Sequence, residues 1–357
     1  MKHSVKILCC SLCLLFHAAS IRAAVIIQYH HVDTETPAAT SIAPRLFAQH
    51  MAYLAENDFQ VWPLPRLLAA IKHAEPLPDK VIAITFDDGY ASVYHQALPI
   101  LQKYQFPSTI FINTERVGGN GFMHWDELRE LSARGHLIAN HTVSHPHLVR
   151  ALDGETAGQW EQRVSEEMRM GEVVIQRELG HSPGLLAYPY GEYNPQVQAI
   201  ARELGLLAFA QHSGAFDPQV NWQAIPRFAF GGPYTALEGF IDKVNSRAMP
   251  LREVSVSDAQ GQRLVEPLLP MAVTRPILTL RLQSAAVARG VSCFASGQGR
   301  LDVQVEGDTI VTRPKHDLPV GRSRINCTAP SGERGRFYWY SEFFMRKRPD
   351  GHWYAEP

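Results

Sequence analysis

Short apolar runs that alternate with helical patterns restrict the fold of this chain more than any other feature. Between residues 24 and 250 the apolar runs cover residues 25–27, 81–84, 108–112, 137–139, 185–187 and 207–210. Helical patterns lie between them at residues 44–57, 92–104, 125–134, 155–179 and 195–204. Because strands buried on both faces read as continuous apolar runs, this order predicts an α/β fold with a parallel sheet and helices outside it.

The sequence changes character after residue 250. Residues 251–357 lack a long helical pattern and contain β-rich stretches at residues 277–282, 301–305 and 337–344. Turn sequences rich in glycine, serine and aspartate separate these stretches. We therefore predict an α/β domain at residues 24–250, followed by a β-rich, sandwich-like domain at residues 251–357.

Residues 1–23 have the pattern of a signal peptide. Lys2 and Lys6 precede an apolar run at residues 7–19 that is too short to span a bilayer, and small residues such as Ala23 follow it. A buried N-terminal helix is the alternative interpretation. The pattern predicts a periplasmic or secreted protein that has no transmembrane segment after cleavage.

The cysteines and the charge narrow the class of protein further. Only Cys293 and Cys327 lie beyond the predicted signal peptide. In an exported protein this pair predicts a disulfide bond, with two buried free thiols as the alternative. The formal net charge is −1 and the sequence has no extended basic stripe, so we expect no binding to nucleic acid.

Two adjacent carboxylates follow the apolar run at residues 81–84. Asp87 and Asp88 precede Gly89, and a helical pattern begins at residue 92. In α/β folds ligands bind beyond the carboxyl ends of strands, where one carboxylate can hold a metal ion while its neighbour handles a proton. Taken alone, the same residues are equally typical of a turn that caps a helix.

Two histidines follow the apolar run at residues 137–139. His141 and His145 are four positions apart, so one turn of helix would place both imidazoles on the same face. Two histidines, one carboxylate and an open coordination position form the layout of a catalytic zinc site. Together with a strand-end aspartate, the pair therefore predicts a metal site.

Three short motifs occur in order along the chain: TFDDGY at residues 85–90, HTVSHP at 141–146 and YPYG at 188–191. They resemble the motifs of the NodB-homology polysaccharide deacetylases, and the resemblance covers roughly residues 24–245. It implies a distorted (β/α) barrel of about seven parallel strands. It also implies that Asp87 is the general base and that Asp88, His141 and His145 hold a divalent metal, usually zinc, with cobalt or nickel as alternatives.

The chemistry of amide hydrolysis agrees with these roles. A bound metal polarises the carbonyl and acidifies water, and the base takes the proton. The resemblance assigns the backbone N–H of Tyr190 to the oxyanion. Tyr190, Pro189 and Trp125 are the candidate substrate contacts, although a single aromatic residue more often packs in a core.

The sequence departs from the commoner family pattern at two positions. Ala187 stands where an arginine usually orients the base, and the histidine that usually acts as general acid late in the catalytic domain is missing. His30 resembles the acid of the poly-β-1,6-N-acetylglucosamine deacetylase branch, with His212 as a second candidate. Arg227 is the candidate for orienting Asp87. The alternatives are a local hydrogen bond for His30 and a solvated surface position for Arg227.

The pattern as a whole predicts a metal-dependent hydrolase that removes N-acetyl groups from a polysaccharide containing N-acetylglucosamine. An O-acetyl esterase acting on a plant-type or bacterial glycan is one alternative, and a catalytically inactive glycan-binding protein is another. Poly-β-1,6-N-acetylglucosamine, chitin and peptidoglycan all stay open as substrates. The aromatic residues at 338–340 and 353–354 would form either a carbohydrate-binding face or part of the β-rich core.

Overall fold

The computed structural model describes residues 23–356. Apart from Ala23, the predicted signal peptide lies outside the described residues and stays a prediction. Within the described part of the chain, no helix has both the length and the hydrophobicity needed to cross a bilayer.

A parallel sheet forms the centre of the first part of the chain. The strands here are β1 (Val25–Tyr29), β2 (His31–Val32), β3 (Ser41–Ile42), β4 (Gln60–Val61), β5 (Val81–Phe86), β6 (Thr109–Ile112), β7 (Leu137–Asn140), β8 (Leu185–Ala187), β9 (Leu207–Phe209) and β10 (Phe228–Ala229). Seven of them lie in the order β10-β1-β5-β6-β7-β8-β9, all parallel, and β4 pairs beside β5. Each predicted apolar run overlaps one of these strands. Strand β10 was not predicted, because two residues are too few to give a pattern.

Helices cover the outside of this sheet. They are α1 (Pro44–Glu56), α2 (Leu64–Lys72), α3 (Leu98–Tyr104), α4 (Trp125–Ala133), α5 (Ala157–Leu179), α6 (Pro195–Glu203) and α7 (Leu237–Val244). Four predicted helices agree with α1, α4, α5 and α6 to within two residues at each end. The fifth, at residues 92–104, divides into a π-helical turn, Val93–Ala97, and α3. Helices α2 and α7 were missed.

Residues 222–229 connect the two edges of the sheet. Ile225 donates to the carbonyl of Ala208 in β9 at 2.9 Å and accepts from the N–H of Ala210 at 3.0 Å. Three residues later, β10 pairs with β1. The predicted distorted barrel of about seven parallel strands is therefore confirmed. Arg227 lies in the segment between these two pairings, and its side chain reaches Asp87 at the end of β5.

The second part of the chain is built from strands that are mostly antiparallel. They are β11 (Arg247–Ala248), β12 (Leu251–Ser257), β13 (Arg263–Leu264), β14 (Ile277–Leu282), β15 (Ser292–Ala295), β16 (Gly299–Arg300), β17 (Val303–Glu306), β18 (Thr309–Thr312), β19 (Gly321–Pro330) and β20 (Phe337–Arg346), with one short helix, α8 (Ala285–Arg289). Two five-stranded sheets form, in the orders β11-β20-β19-β15-β16 and β13-β12-β14-β18-β17. They share one apolar core, which includes Leu278, Leu280, Ile310, Ile325 and Phe344. The β-rich, sandwich-like region is confirmed, while the domain boundary at residue 250 stays a prediction.

The predicted disulfide bond joins two neighbouring inner strands of one sheet. Cys293 on β15 and Cys327 on β19 lie directly opposite each other and are disulfide-bonded. Both side chains are fully buried. The bond closes a loop of 34 positions in the β-rich region and so restricts the unfolded chain.

The two parts of the chain pack against each other along β20. The ring of Trp339 meets Phe228 edge to face at 5.1 Å. Tyr338 and Tyr340, the neighbours of Trp339, pack instead against the β-rich core. Packing therefore accounts for the aromatic residues at 338–340 without a bound sugar.

Candidate active site

The two aspartates of the first motif lie just beyond the end of β5. The Asp87 N–H donates to the carbonyl of Tyr29 at 2.9 Å, which continues the pairing of β5 with β1. Asp88 then adopts a left-handed backbone conformation with φ of 73°. Because the backbone changes direction between the two residues, their side chains point to different partners. The two adjacent carboxylates can therefore have different roles.

His141 and His145 approach each other through a loop, not through a turn of helix. The helical turn expected here is wrong: Thr142 and His145 both have left-handed backbone, with φ of 69° and 60°. The Asn140 side chain accepts from the Thr142 N–H at 2.8 Å, and the Thr142 hydroxyl accepts from the His145 N–H at 3.1 Å. These side-chain hydrogen bonds replace the helical ones and compensate the strained backbone.

Helix α5 packs against the loop that carries His141 and His145. A Cβ added at Gly171 would lie 2.2 Å from Oδ1 of Asn140, so only glycine lets the helix approach so closely. Glu167, one helical turn earlier, accepts from the backbone N–H groups of Val143 and Ser144, both at 3.0 Å. Sequence reasoning missed Glu167 and Gly171, because their role depends on how α5 packs against β7.

Asp88, His141 and His145 come together as a possible set of metal ligands. Oδ1 of Asp88 lies 3.3 Å from Nε2 of His141 and 3.4 Å from Nε2 of His145. His141 bonds the carbonyl of Ala187 through Nδ1 at 2.8 Å, which directs Nε2 toward Asp88. That Nε2 is buried and has no hydrogen-bond partner among the described residues. A buried nitrogen left in this state, with its other ring nitrogen held by a carbonyl, fits a metal ligand.

The electrostatics of the cluster favour a cation. Burial would raise the pKa of Asp88, but the contact with His141 and the charges of His30, His141 and His145 outweigh it and lower that pKa. Burial, and next the charge of His141, lower the pKa of His145 to about 4. The carboxylate is therefore ionised and the His145 ring neutral near pH 7, as a metal requires. Burial would lower the pKa of His141, but the contact with Asp88 and the charges of Asp87 and Asp88 outweigh it and raise that pKa, so His141 would release a proton when a metal binds.

Asp87 is held by the one arginine that the sequence nominated. Its Oδ1 and Oδ2 accept from Nη1 and Nη2 of Arg227, both at 2.7 Å, and both side chains are fully buried. Arg227 also donates from Nε to the carbonyl of Ala210 at 3.1 Å. Although burial would raise the pKa of Asp87, the charge of Arg227 outweighs it and lowers that pKa. Arg227 is thus a buried partner of Asp87 and not a surface residue.

Gln28 is a partner of Asp87 that sequence reasoning missed. Its Nε2 donates to Oδ2 of Asp87 at 2.6 Å, and its side chain is fully buried. The available signal was a single amide side chain within the apolar run of β1, since a buried polar group requires a partner. Oδ2 therefore accepts two hydrogen bonds and Oδ1 one among the described residues, which leaves Oδ1 with the spare lone pair.

The two candidate acids have different surroundings. His30 lies at the bend between β1 and β2, half-buried, and its charge acts on Asp87 and Asp88. His212 lies near Tyr193 and Arg324, and burial, with the charge of Arg324, lowers its pKa to about 3. A neutral imidazole is a very weak acid, so the surroundings of His212 argue against it as the general acid and leave His30 as the better candidate.

The three candidate substrate contacts are not equivalent. The Tyr190 ring meets His145 edge to face at 4.5 Å, so it borders the possible metal ligands. Pro189 is buried at the start of the 3-10 turn Pro189–Gly191. Trp125 is half-buried and packs against the main apolar core. The substrate-binding roles of these three residues stay predictions.

Comparison with known proteins agrees with this geometry. Residues 74–209 match the model of the polysaccharide deacetylase family. This match identifies a polysaccharide deacetylase domain at residues 74–209. The matched residues include Asp87, Asp88, His141, His145 and Tyr190. His30 and Arg227 lie outside the matched residues, directly after β1 and directly before β10.

Several relatives of this deacetylase domain have specific names. The chain is 26% identical over 241 residues to a poly-β-1,6-N-acetyl-D-glucosamine N-deacetylase of Escherichia coli (strain K12), covering 57% of this chain and 36% of that protein. It is 27% identical over 194 residues to the enzyme of the same name from Staphylococcus aureus (strain MRSA252), covering 52% of this chain and 67% of that protein. The structure of IcaB from Ammonifex degensii superposes with a TM-score of 0.54 at 25% identity, covering 60% of this chain and 94% of that chain. The chain thus spans only about a third of the length of the Escherichia coli relative.

Proposed function

We propose that this protein is an exported, metal-dependent hydrolase that removes N-acetyl groups from an N-acetylglucosamine-containing polysaccharide. The observation that carries the proposal is the close arrangement of Asp88, His141 and His145 next to an aspartate that Arg227 holds in a bidentate ion pair. The names of the relatives support poly-β-1,6-N-acetylglucosamine as the first substrate to test.

Asp88, His141 and His145 would hold the divalent metal, and zinc suits a site of two imidazoles and one carboxylate. When bound, the metal would polarise the substrate carbonyl and acidify water. Because His141 is oriented by the carbonyl of Ala187, the position of its free nitrogen is determined before any metal arrives.

Asp87 would take the proton from the attacking water. Arg227 and Gln28 bind its carboxylate so that Oδ2 is saturated and Oδ1 can still accept a proton. Arg227 would take the orienting role of the arginine that is missing at position 187. It reaches Asp87 from residues 222–229, the segment that connects the two edges of the sheet. The backbone N–H of Tyr190 would stabilise the oxyanion that forms on the acetyl carbonyl.

His30 would donate the proton that the leaving amine requires. Its position at the bend after β1 brings it to the same end of the barrel as Asp87 and Asp88. We expect His30→Ala to retain its metal and its fold but to lower kcat by about 10²–10⁴-fold, because that is the usual contribution of general acid catalysis. The variant should also lose the alkaline limb of the pH–rate profile.

A matched control for this variant is His95→Ala, at an exposed histidine that pairs with Glu127. It should change neither kcat nor the pH profile. If His212→Ala, and not His30→Ala, removes the alkaline limb, the general acid is His212 and this assignment is wrong.

Acetate release separates the proposed activity from its alternatives. The purified protein would be incubated with N-acetylated oligomers of β-1,6-linked glucosamine, with chitin oligomers and with O-acetylated xylan, with and without added Zn²⁺. We expect release from the N-acetylated glucosamine oligomers. Release from the O-acetylated glycan alone would identify an esterase, and binding without any release would identify a glycan-binding protein.

A further inference from the structure

A second charged cluster adjoins the candidate active site, and its centre is Glu192. The Glu192 side chain is fully buried and follows the third motif by one residue. It accepts from Nδ1 of His147 at 2.8 Å, from Nη1 of Arg322 at 3.0 Å and from Nη2 of Arg150 at 3.2 Å. The hydroxyl of Tyr354 also donates to it. We call these residues, together with Glu356, the Glu192 cluster.

The Glu192 cluster is not a good metal site, although His147, Glu192 and Glu356 have ligand atoms within 4.8 Å of one another. Two guanidinium groups already neutralise the two carboxylates. Arg322 forms a bidentate pair with Glu356 at 2.9 and 2.6 Å, and Arg150 contacts the same carboxylate at 3.3 Å. A divalent cation would have to displace both arginines. The ion pairs therefore account for the two carboxylates without a bound metal.

The cluster combines residues from both parts of the chain. His147, Arg150 and Glu192 belong to the deacetylase domain, whereas Arg322 lies on β19 and Glu356 near the end of the described residues. Arg150 also donates to the carbonyl of Tyr354 at 3.1 Å and lies over the rings of Trp353 and Tyr354, at 4.9 and 4.5 Å. The β-rich part thus supplies half of the partners of a buried carboxylate in the deacetylase domain.

The cluster also contacts Tyr190, the residue whose N–H is assigned to the oxyanion. The Tyr190 ring stacks on His147 with centroids 3.8 Å apart, and the Arg322 guanidinium lies 5.4 Å from the ring centroid. Tyr190 has left-handed backbone, with φ of 58°. A side chain larger than glycine keeps this conformation only where its surroundings stabilise it. The backbone of Gly191 is also closely packed, since a Cβ there would lie 2.6 Å from Cβ of Gln211.

We propose that Arg322 is a positioning residue for the proposed reaction: through Glu192, His147 and the Tyr190 ring, it holds the Tyr190 backbone in the conformation that presents its N–H to the oxyanion. The active site therefore depends on the β-rich part of the chain. This inference rests on the proposed deacetylase function. It predicts that losing Arg322 lowers turnover more than it weakens substrate binding, because the oxyanion contact forms in the transition state.

The experiment compares Arg322→Gln with Arg336→Gln in the full-length protein. Arg336 is a matched control, since it also joins the two parts of the chain by an ion pair, to Asp79 at 2.7 Å. Among the described residues its ion pairs and hydrogen bonds do not involve Tyr190 or the Glu192 cluster. For each variant, kcat and KM for acetate release from a β-1,6-linked N-acetylglucosamine oligomer, metal content and thermal unfolding would be measured.

We expect Arg322→Gln to lower kcat by about 10–100-fold with KM within about 2-fold and metal retained, because a small displacement of a transition-state contact has effects of this size. Arg322→Lys, which keeps the charge but not the fork of donors, should recover part of kcat. Arg336→Gln should lower the unfolding temperature without changing kcat.

Two results would overturn the inference. One is an equal effect of Arg322→Gln and Arg336→Gln on kcat, and the other is a loss that appears in KM alone. If Arg322→Gln does not fold, Tyr354→Phe removes a single hydroxyl from the same carboxylate and must then show the kcat loss in a milder form. A wild-type protein that releases no acetate from any N-acetylated glycan would instead refute the proposed function, independently of Arg322.

Discussion

Replacing Asp87 with asparagine is expected to lower kcat by about 10²–10⁴-fold while the metal stays bound, because the change removes a proton acceptor and not a ligand. In the structure the Asp87 carboxylate pairs with Arg227 and Gln28, whereas Asp88 faces the two histidines. Acetate release and metal content by mass spectrometry, measured on the same preparation, would test both halves of the prediction.

The stability of the Asp87→Asn variant requires its own measurement. Arg227 is fully buried, and removing the charge of its partner leaves that guanidinium uncompensated, which typically costs about 3–5 kcal/mol of unfolding free energy. The kinetics should therefore be measured well below the unfolding temperature. A variant that folds but has lost its metal would mean that the roles of Asp87 and Asp88 are reversed.

Removal of a proposed metal ligand is expected to have the other large effect. Asp88→Asn and His141→Ala should both lose stoichiometric metal and reduce acetate release to background, because a three-ligand site loses a third of its protein donors with each change. Equilibrium dialysis against Zn²⁺, followed by metal analysis, gives a readout that does not depend on activity.

The Glu192 cluster provides the control for metal binding. Glu356→Gln removes a charge from the other group of histidine and carboxylates, and it should leave the bound metal unchanged. If the metal is lost with Glu356→Gln and retained with His141→Ala, the metal site has been assigned to the wrong cluster.

The residues of the candidate site that the sequence predicts most directly are those in contiguous motifs, whereas His30 was nominated by resemblance and Arg227 by its place near the end of the barrel. Asp87, Asp88, His141 and His145 directly follow apolar strands, and parallel strands bring their carboxyl ends to the same edge of a sheet. Six strands of the barrel and four of its helices were also predicted, because hydrophobic periodicity is a local property of the sequence. Even here the geometry was incomplete, because the turn between His141 and His145 depends on Asn140 and Thr142 and not on helical periodicity.

The sequence alone predicted six strands of the barrel, four of its helices, the chemistry of the motifs and a disulfide bond between the last two cysteines. Only the tertiary structure decided which distant side chains complete the site. Arg227 pairs with Asp87 across 140 positions and Tyr354 reaches Glu192 across 162, so neither contact leaves a periodic signal. A buried charge needs a partner that offsets the cost of its burial. Which residue becomes that partner depends on how the barrel closes and how the two parts of the chain pack, and no local sequence pattern encodes either.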